Sequence, residues 1–223
     1  MRPGMSSFDS NSGYTSMTGT SMSTPHVAGC AALVREWLEG KPEFAAALPS
    51  AALLKAVISG GALETGLPRT AQGFGRVDLA ETLSPSHRCV KLHDWIPFDD
   101  GSCVTYSFTL TNEAPFEAQL AWTDYPADPS AAVAIVNDLD LVVVDLDTGE
   151  RWYGNGEDGG DRLNTVESVR IASAAPGRYR VMVVGESVPY DSAEGGAAAL
   201  YVRGAFAADD GNEEVAQIGR AHV

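Results

Sequence analysis

Apolar residues recur three and four apart through TPHVAGCAALVREWL, Thr24–Leu38, and this spacing predicts an amphipathic helix with Pro25 near its start and Gly40 as its stop. PSAALLKAVI, Pro49–Ile58, predicts a second helix, with Ser50 as its N-cap and Gly60-Gly61 ending it. GFGRVDLAETL, Gly73–Leu83, reads as a turn feeding a short helix capped by Asp78, and no complete strand is expected up to this point. At Ser84-Pro85-Ser86 the pattern changes to short, Val-rich runs that alternate with period two. Six strands are predicted: Cys103–Thr111, Glu117–Thr123, Asp138–Leu146, Glu167–Ser173, Gly177–Glu186 and Ala198–Phe206. With turn signals at Asp147-Thr148-Gly149 and Pro176-Gly177, they argue for a β-sandwich or jelly roll. No repeat or low-complexity tract interrupts either part.

Composition narrows the partners. The 223 residues allow one large domain or two modest ones, and 44% hydrophobic with 20% charged residues is ordinary globular usage. Against 15 Lys and Arg stand 30 Asp and Glu, a formal charge of -15 that repels phosphate backbones, so nucleic acid is not an expected partner. Such a surface suits solubility, salt tolerance or divalent cations held by carboxylates. No run approaches the roughly 18 apolar residues of a membrane span. Cys30 lies in an apolar run and reads as a small core residue. Cys89 and Cys103 could close a small loop by a disulfide if the protein is exported, or remain thiols. MRPGMSSFDSNSGY has no apolar stretch after its basic residue and is not a secretory signal. The chain is expected to be part of a longer one, because a Gly/Ser-rich loop opens it. Gln217–Val223 resembles a translated sequencing adapter and is expected to be non-native.

The chemistry concentrates in Gly19-Thr20-Ser21-Met22-Ser23-Thr24-Pro25-His26-Val27-Ala28-Gly29. A serine at the mouth of a helix has its hydroxyl beside unsatisfied backbone N–H groups and the positive helix end, a setting that stabilises a developing oxyanion. The plainer reading is that Ser21 is an N-cap. The string resembles the active-site serine signature of the subtilisin-like serine proteases, the subtilase family. That resemblance implies that Ser21 is the nucleophile, attacking a peptide carbonyl, and that its own N–H contributes to the oxyanion hole. His26 is structural in that family. Gly73-Phe74-Gly75-Arg76-Val77-Asp78 resembles the segment closing the family's protease domain, and Arg2-Pro3-Gly4 the turn before the serine segment. Val136–Leu141, Asn164–Glu167 and Gly177–Tyr179 resemble the C-terminal jelly-roll domain of an alkaline, oxidation-stable bacterial subgroup.

The family also needs an Asp, a His and an oxyanion-hole Asn before the serine, in the order Asp, His, Ser. None has a motif match here: Asp9 is too close to Ser21, and His87, His93 and His222 follow it. Losing the serine or the histidine of such a triad costs on the order of a millionfold in turnover, so the chain alone is expected to be inactive. The rival reading is a non-catalytic calcium-binding or pseudo-protease interaction module. A further one is an enzyme assembled with a second chain that brings the missing half.

Oxygen donors gather at Asp124, Asn137, Asp138, Asp140, Asn155, Asp158, Asp161, Asn164 and Glu167. Six to eight such donors can hold Ca²⁺, but none of these segments has the EF-hand spacing, and a solvated acidic loop reads as well. The family resemblance favours structural calcium, with Asp124, Asp138, Asp140 and Glu167 as ligands. Trp95, Trp122, Trp152 and Tyr153 read as core or edge residues rather than a ligand platform. The sequence therefore predicts the C-terminal third of a subtilisin-type α/β three-layer fold at residues 1–86. An all-β jelly-roll or sandwich domain follows at 87–208 and a disordered tail at 209–223. The expected activity is that of a secreted serine endopeptidase acting on peptides and proteins, with the oligomeric state undetermined.

Overall fold

The structure is a computed structural model that describes residues 16–83, 89–156, 160–194, 196–206 and 213–216. Four helices come first: α1 Thr20–Glu39, α2 Ala51–Gly60, α3 Arg69–Gln72 and α4 Leu79–Leu83. Nine strands follow: β1 Cys89–Ile96, β2 Cys103–Leu110, β3 Ala114–Thr123, β4 Asp138–Asp145, β5 Arg151–Tyr153, β6 Val166–Ala174, β7 Gly177–Ser187, β8 Ala197–Gly204 and β9 Glu213–Ala216. They form two sheets, ordered β1-β8-β3-β6 and β5-β4-β7-β2-β9, with antiparallel pairing between neighbours. The architecture is thus mixed α and β, with two antiparallel sheets and helices against one of them.

Strand β8 shows why the layers stack. Every residue of it is buried. Ala198, Leu200 and Val202 point between the sheets and join Phe108, Phe116, Leu120, Leu141 and Val181 in one core. The alternate residues Ala197, Ala199 and Tyr201 point the other way, onto Val34, Leu38, Leu53 and Val57 of α1 and α2. Alanines on that face let α2 come close. At Gly60 a Cβ would lie 2.6 Å from the Tyr201 ring, so glycine is required for the approach. Two arginines fasten helix ends to this face. Arg203, only 4% exposed, pairs with Glu117 and donates to the Glu81 carbonyl of α4 at 3.2 Å. Arg170 donates to the Ser59 carbonyl of α2 at 3.0 Å and to Glu64 at 3.1 Å.

Several expectations meet their structure here. Ser50 caps α2, its hydroxyl accepting the Leu53 N–H at 3.0 Å, and Asp78 accepts the Glu81 N–H at 3.2 Å ahead of α4. Helix α1 starts four residues before the apolar pattern does, so Pro25 lies in its interior. Strands β1, β5 and β9 were not predicted; β1 carries Lys91, His93 and Asp94, whose polarity hides an edge strand. Cys30 is half-buried rather than a core residue, and Cys89 and Cys103 are free thiols on β1 and β2, which belong to different sheets. Trp122 is buried and donates its indole N–H to the Asn137 carbonyl at 3.0 Å, whereas Trp95 is 56% exposed on the edge strand β1. Part of the expected disordered tail, 213–216, is a strand paired with β2. The boundary at 86 and residues 217–223 lie outside the described residues.

Candidate functional site

Ser21 sits in the first turn of α1. The N-cap is Gly19, whose carbonyl accepts the Met22 and Ser23 N–H groups at 3.0 and 3.2 Å, and no side chain caps the helix. Ser21 is therefore not an N-cap. It is exposed, and its hydroxyl has no hydrogen bond among the described residues. Pro25 has no N–H to give the Ser21 carbonyl four residues earlier, so the turn holding the serine is also short of an intrahelical bond. His26 donates from Nδ1 to the Met22 carbonyl at 2.5 Å on its own helix, which leaves it turned away from the role of base. Asp9 and Arg2-Pro3-Gly4 lie outside the described residues, as do His87 and His222. Helix α1 is buried only at Val34 and Leu38; Ala28, Gly29 and Ala32 are exposed, and Leu33 is 52% exposed.

The acidic residues divide into two kinds. Asp124 is a loop clamp: Oδ1 accepts the Tyr125 and Asn137 N–H groups at 2.8 Å each, and Oδ2 accepts the Val136 N–H at 2.7 Å. Asp161, which the sequence reading included in the acidic group but not among the ligands, is held likewise by Asn155, Leu163 and Asn164. Burial pushes its carboxyl up, but those hydrogen bonds outweigh burial and hold it below the usual range. Its Asp-x-x-Asn spacing was the available signal of such a turn.

Asp138, Asp140 and Glu167 lack that satisfaction. Leu139 and Leu141 enter the core between the sheets, so Asp138 and Asp140 share the opposite face of β4. Glu167 is fully buried at a core-facing position of β6 and reaches across to the other sheet, where Oε2 accepts the Leu141 N–H at 2.6 Å. Gly154 abuts the Glu167 carboxyl and Gly160 that of Asp140; a Cβ at either glycine would collide with it. One buried oxygen of each acid, Asp138 Oδ1, Asp140 Oδ1 and Glu167 Oε1, has no hydrogen-bond partner among the described residues. Burial pushes Glu167 up to about 9 and Asp140 to about 7, the latter raised further by Asp138, and burial also raises Asp138 despite Arg162, 3.5 Å away. The chemistry of these orphaned oxygens fits a hard dication. Among the described residues, however, no three His, Cys, Asp or Glu side chains converge at metal-binding spacing. Asp158 lies outside them.

An exposed serine at an uncapped helix start, in this motif, defines the class to compare: serine hydrolases of the acyl-transfer type. Residues 3–75 match the family described as the Subtilase family, Peptidase_S8. A Serine protease/ABC transporter B family protein tagA of Dictyostelium discoideum is 28% identical across 79% of this chain. The chain spans 12% of that protein's length. Together the two matches support the subtilase family and, in general terms, a serine peptidase. Among the described residues no helix is long and apolar enough to cross a membrane.

Proposed function

We propose that the chain is the nucleophile-bearing C-terminal part of a secreted subtilisin-like serine endopeptidase acting on peptides and proteins. The observation that carries this reading is the exposed hydroxyl of Ser21, without a hydrogen bond among the described residues, in the first turn of α1 and inside the segment that matches the family. Ser21 Oγ attacks the scissile carbonyl carbon and its proton passes to a histidine base. The leaving amine departs with that proton, and water then hydrolyses the acyl ester on Ser21. The histidine and its orienting aspartate come from residues that precede this segment in the longer protein. The unsatisfied N–H groups at the start of α1, that of Ser21 among them, face the developing oxyanion. The exposed small-residue face of α1, Ala28, Gly29 and Ala32, is the surface the rest of the protease domain covers. The two-sheet part is a jelly-roll appendage in this reading, as in the alkaline subgroup. Structural calcium in this part is proposed from the buried, unpartnered oxygens of Asp138, Asp140 and Glu167, which would need further oxygen donors, since no three acids converge at metal-binding spacing among the described residues.

The test is peptide hydrolysis by the product of the reading frame extended upstream, beside its Ser21→Ala variant and beside the 223-residue chain. Cleavage by the extended product only, lost in the variant, is expected. Equal residual activity in extended product and variant contradicts the proposal and favours the non-catalytic module.

A further inference from the structure

At the end of β1 the ladder with β8 slips: His93 pairs with Leu200 but Ile96 with Ala198, so one extra residue is inserted on β1. The inserted stretch is Asp94-Trp95, and Trp95 takes φ +56°, a left-handed conformation that a bulky residue adopts at a cost. Part of the bulge is accounted for by Asp94. Its Oδ2 accepts the Ser50 N–H at 2.8 Å, and its Oδ1 accepts the Ser50 hydroxyl at 2.5 Å and the Trp95 N–H at 2.9 Å, bracing the start of α2. That explains the turn and not the tryptophan. Glycine fills a left-handed position without strain, yet here an indole is held mostly in solvent.

What the indole does border is a cavity of about 280 Å³ between the bulge and the turn at residues 43–47. Phe44, Trp95 and Pro97 line it, and buried Tyr106, with the His93 ring tilted against it at a centroid distance of 3.9 Å, closes its inner side. Burial lowers His93 to about 4, so this wall is uncharged at neutral pH. Glu43, also lining the cavity, is exposed and has no ion pair or hydrogen bond among the described residues. The nearest cation in sequence, Lys41, is committed to the Trp37 ring, 4.1 Å from its centroid. Asp94 already accepts three hydrogen bonds from Ser50 and Trp95, whereas the Glu43 carboxylate accepts none among the described residues.

From this geometry we infer that the Trp95 cavity is a docking subsite for an arginine side chain of a partner peptide or protein. The guanidinium stacks on the Trp95 face, its stem lies along Phe44 and Pro97, and Glu43 accepts from its N–H groups. Tryptophan is the strongest aromatic partner for a cation, and a planar guanidinium both stacks and forms the fork that a carboxylate accepts. The chain's charge of -15 draws such a basic segment in. None of the residues lining this cavity belongs to the Ser21 site or to the acidic group at Asp138, Asp140 and Glu167.

The test follows the indole N–H resonances of the 223-residue chain by NMR during titration with a blocked Gly-Arg-Gly peptide and with its isosteric, uncharged citrulline analogue. The Trp95 resonance, assigned from its loss in Trp95→Gly, is expected to shift and saturate in the millimolar range with the arginine peptide, and about tenfold more weakly with citrulline. Trp95→Gly, which relieves the backbone strain and so keeps the fold, is expected to abolish binding. Glu43→Gln, on the surface, is expected to weaken it about threefold. Equal binding of the two peptides, a Trp95 resonance that does not move, or undiminished binding to Trp95→Gly overturns the inference.

Discussion

His93 allows a quantitative prediction about stability and pH. Its ring lies tilted against Tyr106, its Nε2 is buried without a hydrogen bond among the described residues, and burial first, with Lys91 second, lowers its pKa from 6.5 to about 4. Between those values the unfolded chain binds a proton on this residue that the folded chain refuses. Stability therefore rises with pH through the window and is lost as pH falls from about 6.5 toward 4. At about 1.36 kcal/mol per pH unit, the loss at pH 5 is roughly 2 kcal/mol and the full loss on the order of 3 kcal/mol. His93→Phe keeps a ring against Tyr106 and removes the titration. Urea unfolding of both proteins at pH 7.5 and pH 5 isolates the residue, because every other group titrates in both. The stability difference between wild type and variant is expected to move by about 2 kcal/mol against the wild type at pH 5. A difference that stays constant to within about 0.5 kcal/mol refutes the account of a neutral, desolvated imidazole.

Other expected outcomes follow from particular contacts. Calcium is expected to raise the unfolding midpoint of the wild type relative to a chelator, and Asp140→Asn with Glu167→Gln to remove that dependence; a double variant that still responds as the wild type does contradicts the ligand assignment. Arg203→Met leaves the Glu117 carboxylate without its buried partner and is expected to cost about 3 kcal/mol in chemical denaturation. Gly61→Ala places a methyl against the Thr82 side chain and is expected to cost roughly 1–3 kcal/mol, with Thr82→Ser in the same background recovering part of it.

Local signals carried much of the fold. Ser50 and Asp78 were readable as caps because their oxygens answer helix N–H groups three residues on, and the runs that became β2, β3, β4, β6, β7 and β8 were readable as short apolar stretches between turn residues. Strand β1 was hidden because it is a polar edge, and β5 because it has three residues, Arg151–Tyr153, in a turn-rich stretch. The start of α1 was hidden because Gly19-Thr20-Ser21 has loop-like composition, yet the helix begins at Thr20 with Gly19 as its N-cap. The exposed placement of Ser21 at the mouth of a helix was legible, because one contiguous string sets it. The acidic group was not, since the difference between a clamped Asp124 and an unsatisfied Asp140 lies in backbone N–H groups that only the folded loops bring to one of them. The outward turn of Trp95 was likewise not legible, because it comes from a bulge that shifts the register of β1 against β8.

The most direct test of the central claim is labelling of the upstream-extended gene product with a fluorophosphonate probe, followed by mass-spectrometric mapping of the modified residue. The account predicts label on Ser21, lost in Ser21→Ala and absent from the 223-residue chain alone. A folded extended product that stays unlabelled, or that carries label on another serine, contradicts it.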